Sequence, residues 1–318
     1  MRALFQMLYN AEVVPKSTWT TTRESEFLMN RLDAPIYPKR WETLGEWRFG
    51  VVAVFFLLAL GLLHIPIQLA SDLPWEDPKS YRKPILFGIS TGLTLGSLLL
   101  LMSDLRPRRW DPYMRSLLCG TLVAEVLLIT VQSWRRVPSH FNRSTIVDAS
   151  IETGMLVCIL LAVAVIFALT VRSFRQDAFP NASAARILAQ RSGMVFLALS
   201  CVLGIGITVM GNFLMINGGS PEILGSKGIL KFPHGVVLHA IQTLVLWALI
   251  CDVFGSARGV SSVAWLSASH LSFLIYALRQ TLLGRSRWET DDIGWVLLGG
   301  TVVSAVISLF DALWRRKP

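Results

Sequence analysis

The stretch that decides the fold is FGVVAVFFLLALGLLHIPIQLAS, residues 49–71, which contains no charged residue. A helix needs about 20 apolar residues to cross the hydrocarbon core of a bilayer, so this stretch is long enough to span a membrane. Similar runs recur along the chain at 84–103, 116–134, 153–171, 192–221, 232–251, 259–278 and 293–310. The pattern predicts an all-α polytopic membrane protein with eight transmembrane helices, embedded in a lipid bilayer.

The composition agrees with this class. Hydrophobic residues make up 53% of the 318 residues, charged residues 16%, and the mean hydropathy is +0.53. Soluble domains carry roughly 25% charged residues, so a water-soluble enzyme and a disordered chain are both excluded. The net charge of +9 does not indicate a nucleic-acid partner, because Lys and Arg cluster beside the apolar runs.

The basic residues also predict an orientation. About twice as many Lys and Arg residues lie on the side of the termini as on the other side, so both termini are expected in the cytoplasm. We expect a cytoplasmic extension at 1–46, for which a position on the membrane surface is one alternative. A membrane domain at 47–314 and a cytoplasmic tail at 315–318 would follow. The predicted location is the cell (inner) membrane, with multiple passes.

Polar side chains are unevenly distributed across the predicted membrane domain. Four histidines, His64, His140, His234 and His239, fall in the outer half or the outer loops, whereas His270 lies near mid-depth. Intramembrane polar groups are costly, so each one is a candidate functional residue. Further candidates are Gln132, Asn142, Asp148, Glu152 and Gln242 near the same face, and Glu125 near mid-depth.

Three blocks carry a resemblance. They read YRKPILF (81–87), QSWRRVPSHFN (132–142) and HGVVLHAIQ (234–242). The chain resembles an uncharacterised family of bacterial polytopic membrane proteins with Lys-Pro, Ser-His-Phe-Asn and His…Leu-His-x-x-Gln blocks, over roughly residues 80–245. The loop before His234 departs from that pattern, since the family has a further histidine there. The resemblance implies that the three blocks belong to one site, and it supplies no activity.

Neutral imidazole is the commonest protein ligand of transition metals and also binds haem axially. We therefore predict a cofactor-binding redox protein that holds b-type haem or a metal ion near the extracytoplasmic face, with quinone as one electron partner. His140 and His239 are the first-choice ligands of haem or metal, and His234 and His64 the second. The side chains expected to orient ligands or move protons are Gln132, Asn142, Asp148, Glu152, Gln242 and Glu125.

Two other functions fit the same residues. A transporter of a small solute or ion would use Glu125 and His270, and a non-catalytic subunit of a larger membrane complex would bind pigment or haem through the same histidines. Structural interpretations are also open. His239 and His140 could serve as hydrogen-bonding residues, Asp148 could cap a helix, and Arg136 and Arg143 could pair with the nearby carboxylates.

Glycines and cysteines have mainly structural interpretations. Gly88, Gly92 and Gly96 form a small-residue ridge that predicts close helix packing, and the same is expected of Gly204, Gly206, Gly299 and Gly300. The fifth run is long enough either to tilt or to end in a re-entrant loop. All four cysteines lie within apolar runs, which predicts reduced core residues and no disulfides.

Overall fold

The computed structural model describes residues 44–77 and 79–314, and within them eight spans are long and apolar enough to cross a membrane. The predicted all-α polytopic membrane fold is confirmed. One span is divided in two by a break at His239. The helices are α1 (Leu44–Leu69), α2 (Arg82–Asp104), α3 (Asp111–Trp134), α4 (Ile146–Ser173), α5 (Ala184–Ile216), α6 (Lys231–Leu238), α7 (Ala240–Val253), α8 (Gly259–Leu282) and α9 (Asp292–Leu313).

The predicted tail at 315–318 and most of the predicted extension at 1–46 lie outside the described residues. Only the last three residues of that extension are described, and they form the beginning of α1. We use the name histidine end for the end of the bundle that carries the connections 70–81, 135–145, 217–230 and 283–291. The name carries no assumption about which side of the membrane this end faces.

Helices α4 and α5 begin well before their apolar runs. The Thr145 side chain accepts a hydrogen bond from the Asp148 backbone N–H, and Ser183 caps α5 in the same way through Arg186. Such caps satisfy N–H groups that have no partner within the helix, so the helix can begin in polar sequence. Helix α5 then continues without interruption to Ile216, which argues against a re-entrant segment.

A short hairpin follows α5. Strand β1 (Ile223–Leu224) pairs antiparallel with β2 (Gly228–Ile229), and the Lys227 N–H donates to the carbonyl of Gly284 at 3.0 Å. This bond ties the 217–230 connection to the one between α8 and α9. The hairpin thereby fixes the point at which α6 enters the bundle.

Helices α1 and α2 pack closely through glycine. A Cβ atom on Gly88 would lie 2.7 Å from the Cα of Gly61, so the two backbones leave no room for a side chain. This confirms the predicted packing ridge at Gly88. The prediction is wrong for Gly206 and Gly299, because a Cβ at either position would meet no atom within 4 Å.

Ion pairs stabilise the end of the bundle opposite the histidine end. Arg172 of α4 is almost fully buried and bonds both carboxylate oxygens of Asp111 and the carbonyl of Arg106. Gln190 of α5 also donates to Asp104 of α2 at 2.5 Å. Buried charges are stable only when paired in this way, so these bonds are explained by helix packing alone.

Candidate functional site: an imidazole cluster

One face of α2 carries a row of polar and aromatic side chains of the kind that line binding sites. Lys83, Phe87, Ser90 and Thr94 are spaced four, three and four residues apart, which places them on the same side of the helix. We call these four residues the α2 stripe. Each of them contacts a residue of another predicted block, so the stripe is the surface on which the blocks meet.

Lys83 and Phe87, the stripe residues nearest the histidine end, contact the loop between α3 and α4. Lys83 Nζ donates to Ser139 Oγ at 3.1 Å, and Ser139 Oγ lies 2.9 Å from His140 Nδ1. The ring of Phe87 stacks on the His140 ring, with centroids 6.1 Å apart and an interplanar angle of 30°. The imidazole of His140 is therefore held by one hydrogen bond and one aromatic contact.

Ser90 and Thr94, which lie farther along α2, contact the broken span formed by α6 and α7. Ser90 Oγ lies 3.0 Å from His239 Nε2, and Gln242 Nε2 donates to Thr94 Oγ1 at 3.3 Å. The second and third blocks, which lie far apart in the sequence, thus both contact α2. Sequence reasoning missed Ser90 and Thr94, although their spacing from Lys83 was visible.

His234 lies on α6, five residues before the helix break, and contacts α5. Its Nδ1 lies 2.8 Å from the carbonyl oxygen of Ser200 on α5, and the Ser200 hydroxyl donates to the His234 carbonyl. A carbonyl oxygen can only accept, so Nδ1 carries the proton and Nε2 holds a lone pair. Within the described residues no hydrogen-bond donor faces that Nε2.

The other two histidines have both ring nitrogens engaged. His64 Nδ1 bonds the Leu60 carbonyl at 2.7 Å, and its Nε2 accepts from the indole N–H of Trp134 at 3.0 Å. His270 bonds the carbonyl of Leu266 and the hydroxyl of Thr243 in the same manner. These contacts remove His64 from the ligand candidates, because binding a metal would break one of them.

The helix break at His239 exposes polar backbone inside the membrane domain. His239 has φ −100° and ψ 9°, and its N–H bonds the Val237 carbonyl instead of the carbonyl four residues back. Non-helical backbone at membrane depth occurs where it is buried in protein or lines a polar cavity. A Cβ on Gly235 would meet nothing within 4 Å, and Gln242 Oε1 is buried with no partner among the described residues. Gly235 is exposed on the outer side of α6.

The loop between α3 and α4 is fixed by Glu152. One carboxylate oxygen of Glu152 accepts the Phe141 N–H at 2.9 Å, and the other accepts Arg143 Nε at 2.9 Å. Phe141 has φ +57°, a conformation that non-glycine residues rarely adopt. Its ring also packs where a Cβ on Gly211 would lie, 2.6 Å away. The neighbouring His140 is therefore positioned by a rigid loop.

Asp148 and its neighbours stabilise the same loop. The carboxylate of Asp148 accepts hydrogen bonds from Thr145, Gln132 and Arg135, while Asn142 bonds within the loop. The predicted ion pair of Asp148 with Arg136 is wrong, because Arg135 pairs with Asp148 and Arg136 lies over the ring of Tyr81. The predicted ion pair of Arg143 with Glu152 is confirmed. Within the described residues, none of the side chains of Gln132, Asn142, Asp148 and Glu152 bonds a histidine.

The electrostatics around His140 favour its neutral form. Burial lowers its pKa to about 4, and the positive charges of Lys83 and Lys231 act in the same direction. Burial raises the pKa of Glu222. The hydrogen bond and the charge of Lys231, together with the charge of Lys83, outweigh burial, so the pKa of Glu222 is lowered overall. At neutral pH the cluster therefore combines an uncharged imidazole with two ammonium groups and one carboxylate.

Glu125 and His270 are not brought together. Glu125 is only 7% exposed on α3, near Cys158 of α4, and has no hydrogen-bond or ion-pair partner among the described residues. His270 lies on α8, with its ring near that of Phe196 on α5 and its Nε2 bonded to α7. The two residues contact different helix pairs, so the described contacts give no continuous polar path between them.

The donor set limits the type of cofactor. The described residues include no group of three or more His, Cys, Asp or Glu side chains that could hold a metal ion. A haem needs only one or two imidazoles, which the cluster contains.

In comparisons with known proteins, no family model, no curated protein and no solved structure matches the chain. The family resemblance of the three blocks stays a prediction.

Proposed function

We propose that the protein binds a haem-type redox cofactor in the membrane through the imidazole cluster of His140, His234 and His239. The observation that carries the proposal is the free lone pair of His234 Nε2. Metal-bound histidines usually donate their other ring N–H to a carbonyl or carboxylate, and His234 donates to the Ser200 carbonyl. The ring is thus held in a tautomer suited to ligation before any cofactor binds.

The surrounding residues fit the same group. His140 is neutral and has Nδ1 on Ser139, which makes its Nε2 the second candidate ligand. His239 has Nε2 on Ser90, so we rank it below the other two. Gly235 is exposed, so a flat ring could approach the helix from that side.

A bound haem would supply one-electron transfer, and the chain would supply binding and exclusion of water. Phe87 and the apolar faces of α2 and α5 keep solvent from the imidazoles. The partner in electron exchange is a quinone or another membrane subunit. We place the protein in the inner membrane with both termini in the cytoplasm. The histidine end would then face the extracytoplasmic side.

Haem titration of the purified protein in mild detergent tests this proposal. We expect saturable binding with a shifted Soret band for the wild type, and loss of that shift in His234→Gln. His270→Gln is the matched control, because His270 is an intramembrane histidine with both nitrogens engaged. A wild type that shows no shift, or a His234→Gln variant that binds like the wild type, would overturn the assignment.

Transport of a proton or small ion is the second candidate function, and it depends on Glu125 alone. A buried carboxylate with no partner among the described residues is costly in a membrane, and such residues commonly mark ion or proton pathways. Flux measurements in proteoliposomes should then show a loss in Glu125→Gln, while the haem titration of this variant stays unchanged. Equal flux in both proteins removes the candidate.

A further inference from the structure

Lys83 is a half-buried cation at the histidine end. It lies in the first turn of α2 and donates to the hydroxyl of Ser139. Among the described residues it has no carboxylate within ion-pair distance. A partly buried ammonium group that has only a neutral partner is poorly compensated, because burial removes water without supplying an opposite charge. The position therefore favours an anion.

The charges that face Lys83 leave an excess of one positive charge. Lys231 is paired with Glu222, and Arg82 is paired with Glu76 at 2.5 Å. With both ion pairs internally balanced, Lys83 is the group whose charge remains for a ligand.

We propose that Lys83 binds a carboxylate of the ligand, so that this site takes an amphipathic acid with an apolar body and one carboxylate at the membrane boundary. The inference rests on the proposed function for the location of the ligand, since Lys83 and His140 share Ser139 as a hydrogen-bond partner. Lys83 offers one positive charge, which binds one carboxylate of such an acid.

Two sources of such a carboxylate are distinguishable. It can belong to a porphyrin propionate, or to a long-chain fatty acid that enters from the bilayer. Four porphyrins separate the contributions of iron and carboxylate: haem, haem dimethyl ester, protoporphyrin without metal, and its dimethyl ester. Palmitate and methyl palmitate form the corresponding pair for the fatty acid.

The experiment measures the dissociation constant of each compound by quenching of tryptophan fluorescence, for the wild type and three variants. We expect the wild type to bind each acid about tenfold more tightly than its ester, as one charge-assisted hydrogen bond would give. Lys83→Gln should abolish this preference and Lys83→Arg should retain it. Lys79→Gln, at an exposed lysine in the preceding connection, should behave like the wild type.

The outcomes separate the two proposals. Equal binding of acid and ester by the wild type, a preference that survives in Lys83→Gln, or no binding of any acid would overturn the role of Lys83. If iron improves binding and the carboxylate does not, the cofactor proposal stands and this inference fails. If the carboxylate matters and iron does not, the inference stands and the haem assignment fails. A preference confined to palmitate identifies the ligand as a fatty acid.

Discussion

Nδ1 of His234 on α6 lies 2.8 Å from the carbonyl oxygen of Ser200 on α5, a contact that joins residues 34 positions apart. The contact fixes the tautomer of the ring and its orientation at once. His64 and His270 also donate to carbonyl oxygens, but their second nitrogens accept from Trp134 and Thr243. His234 differs from them because its lone pair has no donor among the described residues, and the proposed chemistry depends on that difference.

Gly204 on α5 lies against this ring. A Cβ at position 204 would be 3.4 Å from the Cε1 and Nδ1 atoms of His234, so the methyl groups of a valine would displace the imidazole. We expect Gly204→Val to weaken haem binding about tenfold or more, as measured by Soret titration. Gly206→Val, where a Cβ meets no atom within 4 Å, should bind like the wild type. Equal affinities in the two variants would contradict the assigned position of the ring.

The contact between Gly88 and Gly61 predicts a stability effect. Gly88→Ala would place a Cβ 2.7 Å from the backbone of α1, and overpacking of this kind costs about 1–3 kcal/mol. The melting temperature in detergent should therefore fall. Gly299→Ala is the control, since it adds a methyl group in open space and gains helix propensity of up to about 1 kcal/mol. A melting temperature for Gly88→Ala at or above that of the wild type would show that α1 and α2 pack differently.

His140 predicts a dependence of stability on pH. Its pKa is lowered from 6.5 to about 4 by burial and by neighbouring lysines. Between these values the unfolded chain binds a proton that the folded chain excludes, so the stabilising contribution is present above pH 6.5 and is lost as the pH falls towards 4. The loss is at most about 3 kcal/mol. His140→Gln should flatten the fall in melting temperature between pH 7 and pH 4, and an unchanged slope would contradict the assignment.

The orientation predicted from Lys and Arg can be tested by labelling single cysteines. The native cysteines all lie within spans, so they are first replaced by serine. A cysteine at Lys227, which is exposed at the histidine end, should react with an impermeant maleimide in intact spheroplasts. One at Arg108, exposed at the opposite end, should react only after lysis. The reverse pattern would invert the topology.

The eight spans follow from the sequence because a bilayer imposes a minimum length and an apolar composition on each of them. Asp148 was correctly placed at the beginning of α4, where it lies in the first turn. The true beginning of α5 was missed, because it depends on the Ser183 cap, and local side-chain bonds are not visible in hydropathy. Gly88 was assigned correctly to helix packing. Gly206 was not, because spacing alone does not distinguish a face against a helix from an open one.

The candidate site was only partly visible in the sequence. The blocks named Lys83, His140 and His239 as neighbours, and all three contact or belong to the cluster on the α2 stripe. The free lone pair of His234 could not be found, because it depends on a carbonyl of another helix. The exclusion of His64 likewise depends on Trp134, 70 positions away.

A redox-active haem held by these imidazoles would give the protein a visible absorption spectrum. The most direct measurement is the visible spectrum of the protein purified from its own membranes in mild detergent, recorded before and after dithionite. We expect a Soret band that shifts on reduction, with sharper bands at longer wavelength, and its disappearance in His234→Gln but not in His270→Gln. A featureless spectrum of folded wild-type protein, purified from cells supplied with haem, would contradict haem binding.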